Sequence, residues 1–223
     1  MKKLLITTCL FLGTFSMASA ELGINIGVSG QSGYFEATAN ESVDAAKQES
    51  EEAAGIFGYG SIFIEKTLGR FITVGYDHVP GGLSSESFEE TREDETLAGA
   101  KADQVQTGSA DFDNLNTYYI ALNITENFYV KAGQMSVDVT TNETLASGAI
   151  YGNKTLDGTT LGGGYHKSFD NGFFYRAEGT VFEIDGHTFV SSKALETGNT
   201  RATQVRLEGI DGVSAKFSIG KSF

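Results

Sequence analysis

The chain is poor in the residues that many other protein classes depend on. Of its 223 residues, one is cysteine, one is proline and none is tryptophan. The cysteine, Cys9, lies in an apolar run near the N-terminus. The chain after it therefore has no disulfide framework, no cysteine metal ligand and no cysteine nucleophile. Basic residues are also scarce, with 16 Lys and Arg against 29 Asp and Glu. Phosphate binding needs clustered Lys and Arg, so this balance excludes nucleic acid as a partner and argues against direct docking on anionic headgroups. After the first twenty residues no apolar run approaches the ~20 residues that a helix needs to cross a bilayer. If this chain enters a membrane, it does so as a closed barrel, because every backbone polar group must be paired there.

The N-terminus reads as a secretory signal peptide over residues 1–20. Lys2 and Lys3 give a basic start, Leu4 to Phe15 is mostly apolar, and Ala18-Ser19-Ala20 is a small-residue cleavage pattern. The apolar run is too short for a membrane anchor. Cleavage after Ala20 leaves 21–223 as one domain, with 14 basic and 29 acidic residues and a net charge of −15. Its 28 glycines suit many strands and tight turns rather than helices.

What the chain does have is alternation. In Val213 to Phe223 the apolar residues Val213, Ala215, Phe217, Ile219 and Phe223 are separated by small or polar ones. A period of two is a strand with one greasy face, and an aromatic tip suits the edge of a membrane. Leu22 to Val28 alternates in the same way, predicting Asn25 and Ser29 on a polar interior face. The next strand runs over Ile56–Lys66. Ile62 and Ile64 on lipid place Phe63 and Glu65 inside, while Phe57, Tyr59 and Phe63 compete for the outer face. Phe71–Val79 places Asp77 inside, the strand of Tyr118 to Ile124 follows, and Phe128, Val130 and Ala132 set Tyr129 and Lys131 inward. Beyond Gln134 the apolar phase moves to Met135, Val137 and Val139, which predicts a bulge there or the end of the lipid-facing part. Leu161, Gly163 and Tyr165 face lipid opposite His166, and Phe173 to Val181 carries Arg176, Glu178 and Thr180 inside.

Thr67–Arg70, Glu126-Asn127 and Asp170-Asn171-Gly172 are short turns, and the last is a strong hairpin signal. Asn40–Gly55, Pro80–Asn116 and Thr140–Asp157 are polar and read as exposed loops. The second holds an acidic block: Glu86, Glu89, Glu90, Glu93, Asp94 and Glu95. A structureless connection of that length is unusual in a soluble domain but ordinary for an outer loop of a barrel. At the end of the chain one odd-position phase reads from Val205 and Leu207 across Ile210-Asp211-Gly212 to Phe223. It predicts a single long strand, bent at Gly209 or Gly212. The fold class expected is all-β: an eight-stranded antiparallel up-and-down transmembrane β-barrel with long acidic outer loops and short periplasmic turns.

These features together resemble the small eight-stranded outer-membrane barrels of Gram-negative bacteria, of the OmpX, OmpA-transmembrane-domain and opacity-protein types. The resemblance covers the whole chain after the signal peptide. It implies export to the outer membrane, contact with lipid and lipopolysaccharide, and a monomer. It also implies a last strand read by the barrel assembly machinery through Phe217, Ile219 and Phe223, although Lys221 stands where an aromatic or aliphatic residue is usual.

With these faces the lumen gathers Glu65, Asp77 and Glu178 against Lys131, Arg176 and Lys216, with His166 nearby. In so narrow a barrel a mixed-sign cluster reads first as a structural plug and second as a gated ion path. Asp77-His78, or Asp185 with His187 and Ser191, are the only groupings with a catalytic look, and neither has nucleophile-elbow or zinc spacing. The acidic block could hold calcium or magnesium against lipopolysaccharide, yet Asp111 to Leu115 lacks the oxygen ligand and glycine of a calcium loop. The expectation is a non-enzymatic barrel without cofactor, whose acidic loops meet an extracellular ligand or phage. A small passive pore is the alternative, and a lipid-modifying enzyme a remote one.

Overall fold

The strands run much further along the chain than its short apolar stretches suggest. A computed structural model describes residues 23–44, 47–96, 100–193 and 203–223. The expected signal peptide, with Ala18 and Ala20, lies outside the described residues. Among those described there is no helix. The strands are β1 (Ile24–Asp44), β2 (Lys47–Leu68), β3 (Ile72–His78), β4 (Leu83–Ser84), β5 (Phe88–Glu95), β6 (Lys101–Asn123), β7 (Phe128–Thr144), β8 (Lys154–Ser168), β9 (Phe173–Val190) and β10 (Gln204–Ser222).

Eight of these close into a ring in the order β3-β2-β1-β10-β9-β8-β7-β6, with β3 pairing back onto β6; every pairing is antiparallel. The expected eight-stranded up-and-down barrel is therefore present. From Asn25 the paired residues lead through Glu65, Gly75, Tyr119, Gly133, Thr160, Phe182 and Gly212 and re-enter β1 at Phe35, ten residues on. A stagger of that size goes with strands inclined by roughly 35–45° to the barrel axis. Short turns lie at one end, where Gly69 and Gly172 adopt positive φ (66° and 82°) as tight turns require.

At the other end the expected loops are largely sheet. Asn40–Gly55 is not a loop: Ala39 pairs with Glu51 and Glu41 with Glu49, so β1 and β2 continue as a ribbon. Pro80–Asn116 is not structureless: β4 and β5 lie along β6, with Ser84 opposite Asp111 and Phe88 opposite Gly108. Thr140–Asp157 yields its ends to β7 and β8. Backbone pairing holds these segments whatever the polarity of their side chains, so hydrophobic alternation could not mark them. Above Ile62 the described residues of β2 pair only with β1, leaving the wall open there between β2 and the β4–β5 side.

Two expectations of phase are corrected. β7 has no bulge at Gln134; its pairing with β8 is regular from Phe128 to Val139. Tyr129, Lys131, Met135, Val137 and Val139 all point inward. The interior itself changes, from polar below to apolar above. In β10 the odd phase does not run through. β10 has one extra residue relative to β1, at Glu208, where Gly209 adopts φ 157°. Leu207 packs inward above that bulge, while Ile210, Ser214, Lys216, Ser218 and Gly220 are the buried residues below it. The single long strand and the bend at Gly209 stand. A second register shift in β6, between Asp113 and Asn116, includes Asn114 at φ 52°.

The outer extension thus encloses a core of its own: Val137, Val139, Leu156, Ile184, Phe189 and Ile210, with Phe35, Phe112 and Phe182 packed against it. Leu156→Ala removes a side chain only 3% exposed, and should cost the extension about 2–5 kcal/mol. Limited proteolysis in detergent should then cut the extension while the lipid-embedded half stays protected.

Candidate functional site

Inside the ring, at the level of the lipid-facing residues, the inward positions of seven strands converge. Glu65 on β2 is 3% exposed and receives four donors. Arg176 on β9 donates through Nη1 and through Nη2 (2.6 Å), Tyr119 through its hydroxyl (2.6 Å), and Asn25 through Nδ2 (3.1 Å). The bidentate Arg–carboxylate pair is the strongest common hydrogen-bonded ion pair and fixes both side chains in one plane. The Arg176 guanidinium lies 4.7 Å from the Phe174 ring centroid and 5.6 Å from that of Phe63, so its faces rest on aromatic rings.

Two more pairs lie alongside. Lys131 on β7 pairs with Glu178 on β9 and stands 4.8 Å over the Tyr119 ring. Lys216 on β10 pairs with Asp77 on β3. The structure therefore brings all six charged lumen residues together as three acid–base pairs, one cation to each carboxylate. Burial demands this one-to-one match, because an unpaired ion in so dry a site costs several kcal/mol. Hydroxyls fill the spaces between, with Ser29 and Ser61 2.5 Å apart and Gln31 donating to Ser214 at 2.9 Å. Above the layer, between Asp77, Lys216, Met135 and Phe182, the open space is about 30 Å³, room for roughly one water. Below it a vestibule of about 250 Å³ opens among the short turns, lined by Asn123, Asn127, His166 and Ser168.

The other predicted residues are scattered. Of the acidic block, Glu89, Glu90, Glu93 and Asp94 lie on β5, while Glu86 precedes it; Glu95 closes β5. Glu86, Glu89 and Glu93 are exposed, whereas Asp94 is wholly buried and accepts from Gln106 at 3.0 Å. Glu90 meets Arg92 at 2.5 Å, and Arg92 also reaches Glu41 on β1 at 2.6 Å. The block expected in a structureless loop is thus corrected to a strand that divides its carboxylates between two faces, one of them tied down by Arg92, a residue with no role in the sequence-based expectation. Its only signal was a lone basic residue among acids. Among the described residues no three His, Asp or Glu side chains gather as a metal site. Asp77 and His78, as strand neighbours, face opposite sides of the wall: Asp77 meets Lys216 inside, and His78 meets Asn116 at 2.8 Å. His187 stacks edge-on against Phe189, and Ser191 donates to the Lys193 carbonyl. Phe217 and Ile219 point outward, and the Phe223 amide donates to the Ile24 carbonyl where the first and last strands meet.

Outside the same ring, Ile26, Ile62, Ile64, Val74, Ile120, Val130, Phe217 and Ile219 are all exposed. A closed barrel with paired charges inside and bare aliphatic side chains outside has exchanged the polarity of a soluble protein, and only lipid can cover that surface. The chain is a small transmembrane β-barrel. Its fold is similar to that of several solved structures. The outer membrane protein OprG of Pseudomonas aeruginosa is 14% identical, over 93% of this chain and 99% of that one, with a TM-score of 0.47. The outer membrane protease OmpT of Escherichia coli is 6% identical over 94% and 100%, with a TM-score of 0.46. Ail of Yersinia pestis, in complex with the heparin analogue sucrose octasulfate, is 11% identical over 87% and 98%, with a TM-score of 0.38. No family model and no curated protein matches the chain. The barrel assignment stands on the ring and its apolar exterior.

Two outcomes follow. Arg176→Met strands the Glu65 carboxylate and should destabilise the barrel by about 3–5 kcal/mol, whereas Arg176→Met with Glu65→Leu should recover most of that loss. Urea titration read by heat-modifiable gel mobility separates the two. On the extension, the Ser84 hydroxyl (2.5 Å) and the Asn142 amide (2.7 Å) hold the Asp111 carboxyl below its usual range. A lowered folded pKa stabilises fully above the ordinary carboxylate range and fades as pH falls through the folded value. Hydrogen-exchange protection around β4 should drop at the acid end of a pH series, and Asp111→Asn should flatten that dependence.

Proposed function

We infer that this barrel is a non-conducting, non-catalytic surface protein whose lumen is plugged and whose ordered outer extension meets partners outside the cell. The observation that carries this reading is the stacking of two seals. The three ion pairs close the lumen at mid-barrel, and the apolar cluster of Val137, Leu156, Ile184 and Ile210 fills the extension above them. An ion path would have to break buried pairs and then cross a hydrocarbon-like core, each a large barrier. The vestibule on the turn side is therefore blind.

The extension presents Glu51, Glu52, Glu86, Glu89 and Glu93 to solvent. Its chemistry suits a cationic partner, or an anionic one such as lipopolysaccharide bridged by divalent cations, and repels a bare sulfated glycan. The outward Phe217 and Ile219, with Phe223, form the segment offered to the barrel assembly machinery. Planar-bilayer recording of the purified protein should show no steady conductance. Steady openings whose amplitude changes with Lys131→Ala, Arg176→Ala or Glu178→Ala would replace the plug with a pore.

A further inference from the structure

We propose that the lipid-facing band of this barrel is lopsided. The outer lipid–water interface is drawn down on the β3–β6–β7 wall to the level of Tyr76, Tyr118 and Gln134, well below its level on the β9–β10–β1 wall. The partner of this surface is the hydrated interfacial layer of the bilayer itself.

The first observation is the length of the band. A strand crossing lipid needs ~9–11 residues. On β10 the outward face from Val213 to Phe223 is apolar except for Lys221, on β9 it is apolar or glycine from Phe173 to Val181, and on β1 it is apolar or small from Ile26 to Tyr34, with Ser32 the one hydroxyl among them. All three reach that length. On β3 it spans only Ile72 to Tyr76, on β7 Phe128 to Ala132, and between β6 and its turn Tyr118 to Ile124. These are five to seven residues, counted from the same level of short turns. At ~3.3 Å per residue along strands inclined ~40°, they cover roughly 12–18 Å, against an apolar band of ~25 Å.

The second observation is where the interior changes character. On β7 the inward face turns apolar at Met135, directly above Ala132, and Gln134 is exposed outside. On β1 the change comes at Phe35, just above Tyr34. An apolar interior with a polar exterior marks a segment in water, so water begins lower on β7 than on β1.

The third is what replaces the apolar residues. The Tyr76 hydroxyl donates to Asn116 Oδ1 at 2.6 Å, His78 Nδ1 lies 2.8 Å from the same oxygen, and the Tyr76 and Tyr118 rings are 4.9 Å apart. Exposed tyrosine rings favour the interface, where the ring is apolar and the hydroxyl wet. Tyr34, half-exposed and donating to Glu36, marks that interface higher on the opposite wall. The fourth is the open edge of β2 above Ile62. Unpaired backbone does not sit in hydrocarbon, so the interface beside β3 must lie at about that height.

Gln134, Gly30 and Gly179 each stand six residues above the first residue of their strands, Phe128, Ile24 and Phe173. A Cβ at Gly30 or Gly179 meets nothing within 4 Å. Because the chain after Cys9 has no cysteine, Gln134→Cys, Gly30→Cys and Gly179→Cys each give a single spin-label site once the signal peptide is removed. In dimyristoylphosphatidylcholine bilayers, the label at 134 should be relaxed several-fold more by a water-soluble nickel chelate than by oxygen, and the labels at 30 and 179 the reverse. Oxygen dominance at all three sites would mean a level band and overturn the proposal. Protection of site 134 from both reagents would mean a protein partner or a second copy covers the wall, and would equally overturn it. Heat-modifiable mobility certifies folding, and Ser136→Cys replaces Gln134→Cys if the latter fails to fold.

Discussion

The constraint on which the structure depends is that a backbone amide or carbonyl in hydrocarbon has no water to turn to. Closure of the ring by the β3–β6 pairing answers it, and the rest follows from closure. A ring of eight strands with a ten-residue stagger leaves a lumen only as wide as the side chains that fill it. Filling it with polar groups demands that each be satisfied. Hence Glu65 has four donors, and each of the lumen's lysines and arginines has its own carboxylate. A lumen lined by aliphatic side chains as well would leave strands apolar on both faces and prone to aggregate before insertion.

Much of this was legible in the sequence because lipid imposes a strict period of two. The alternation of Ile62, Ile64 and Phe217, Ile219 gave the outer face, and the opposite parity gave Glu65, Arg176 and Lys216. Pairing partners were not legible: nothing local to Glu65 says that its arginine lies 111 residues away on β9. The extension was illegible for a different reason. Outside the membrane the same strands invert, apolar in and polar out, so the change of parity at Met135 looks like a break in a strand that in fact continues. Bulges compound this. Glu208 in β10 and the Asp113–Asn116 irregularity in β6 shift the phase at the same heights at which the polarity inverts. At β10 the two shifts cancel, so that Val205 and Leu207 share the odd positions of Val213 and Phe217 while facing the other way.

The acidic block illustrates the limit of composition as a guide. Six carboxylates within ten residues repel one another, and repulsion favours a solvated loop. The strand forms because alternate positions separate the charges onto two faces, and Arg92 and Gln106 take up those that turn inward. Charge density alone could not reveal this. The position of Arg92, in phase with Glu90 and Asp94, carries the information.

The ribbon extension also changes what binding at this surface would cost. A mobile loop must surrender its backbone freedom when it is captured, about 1–2 kcal/mol for each residue fixed. Here Glu89 and Glu93 project from a strand already held by Thr107 and Asp103 across the pair. Their loss of freedom falls on folding, not on capture. A ligand meeting this surface would encounter charges at set spacings, closer to a ruler than to a brush, and could discriminate by geometry where a disordered acidic loop offers only net charge.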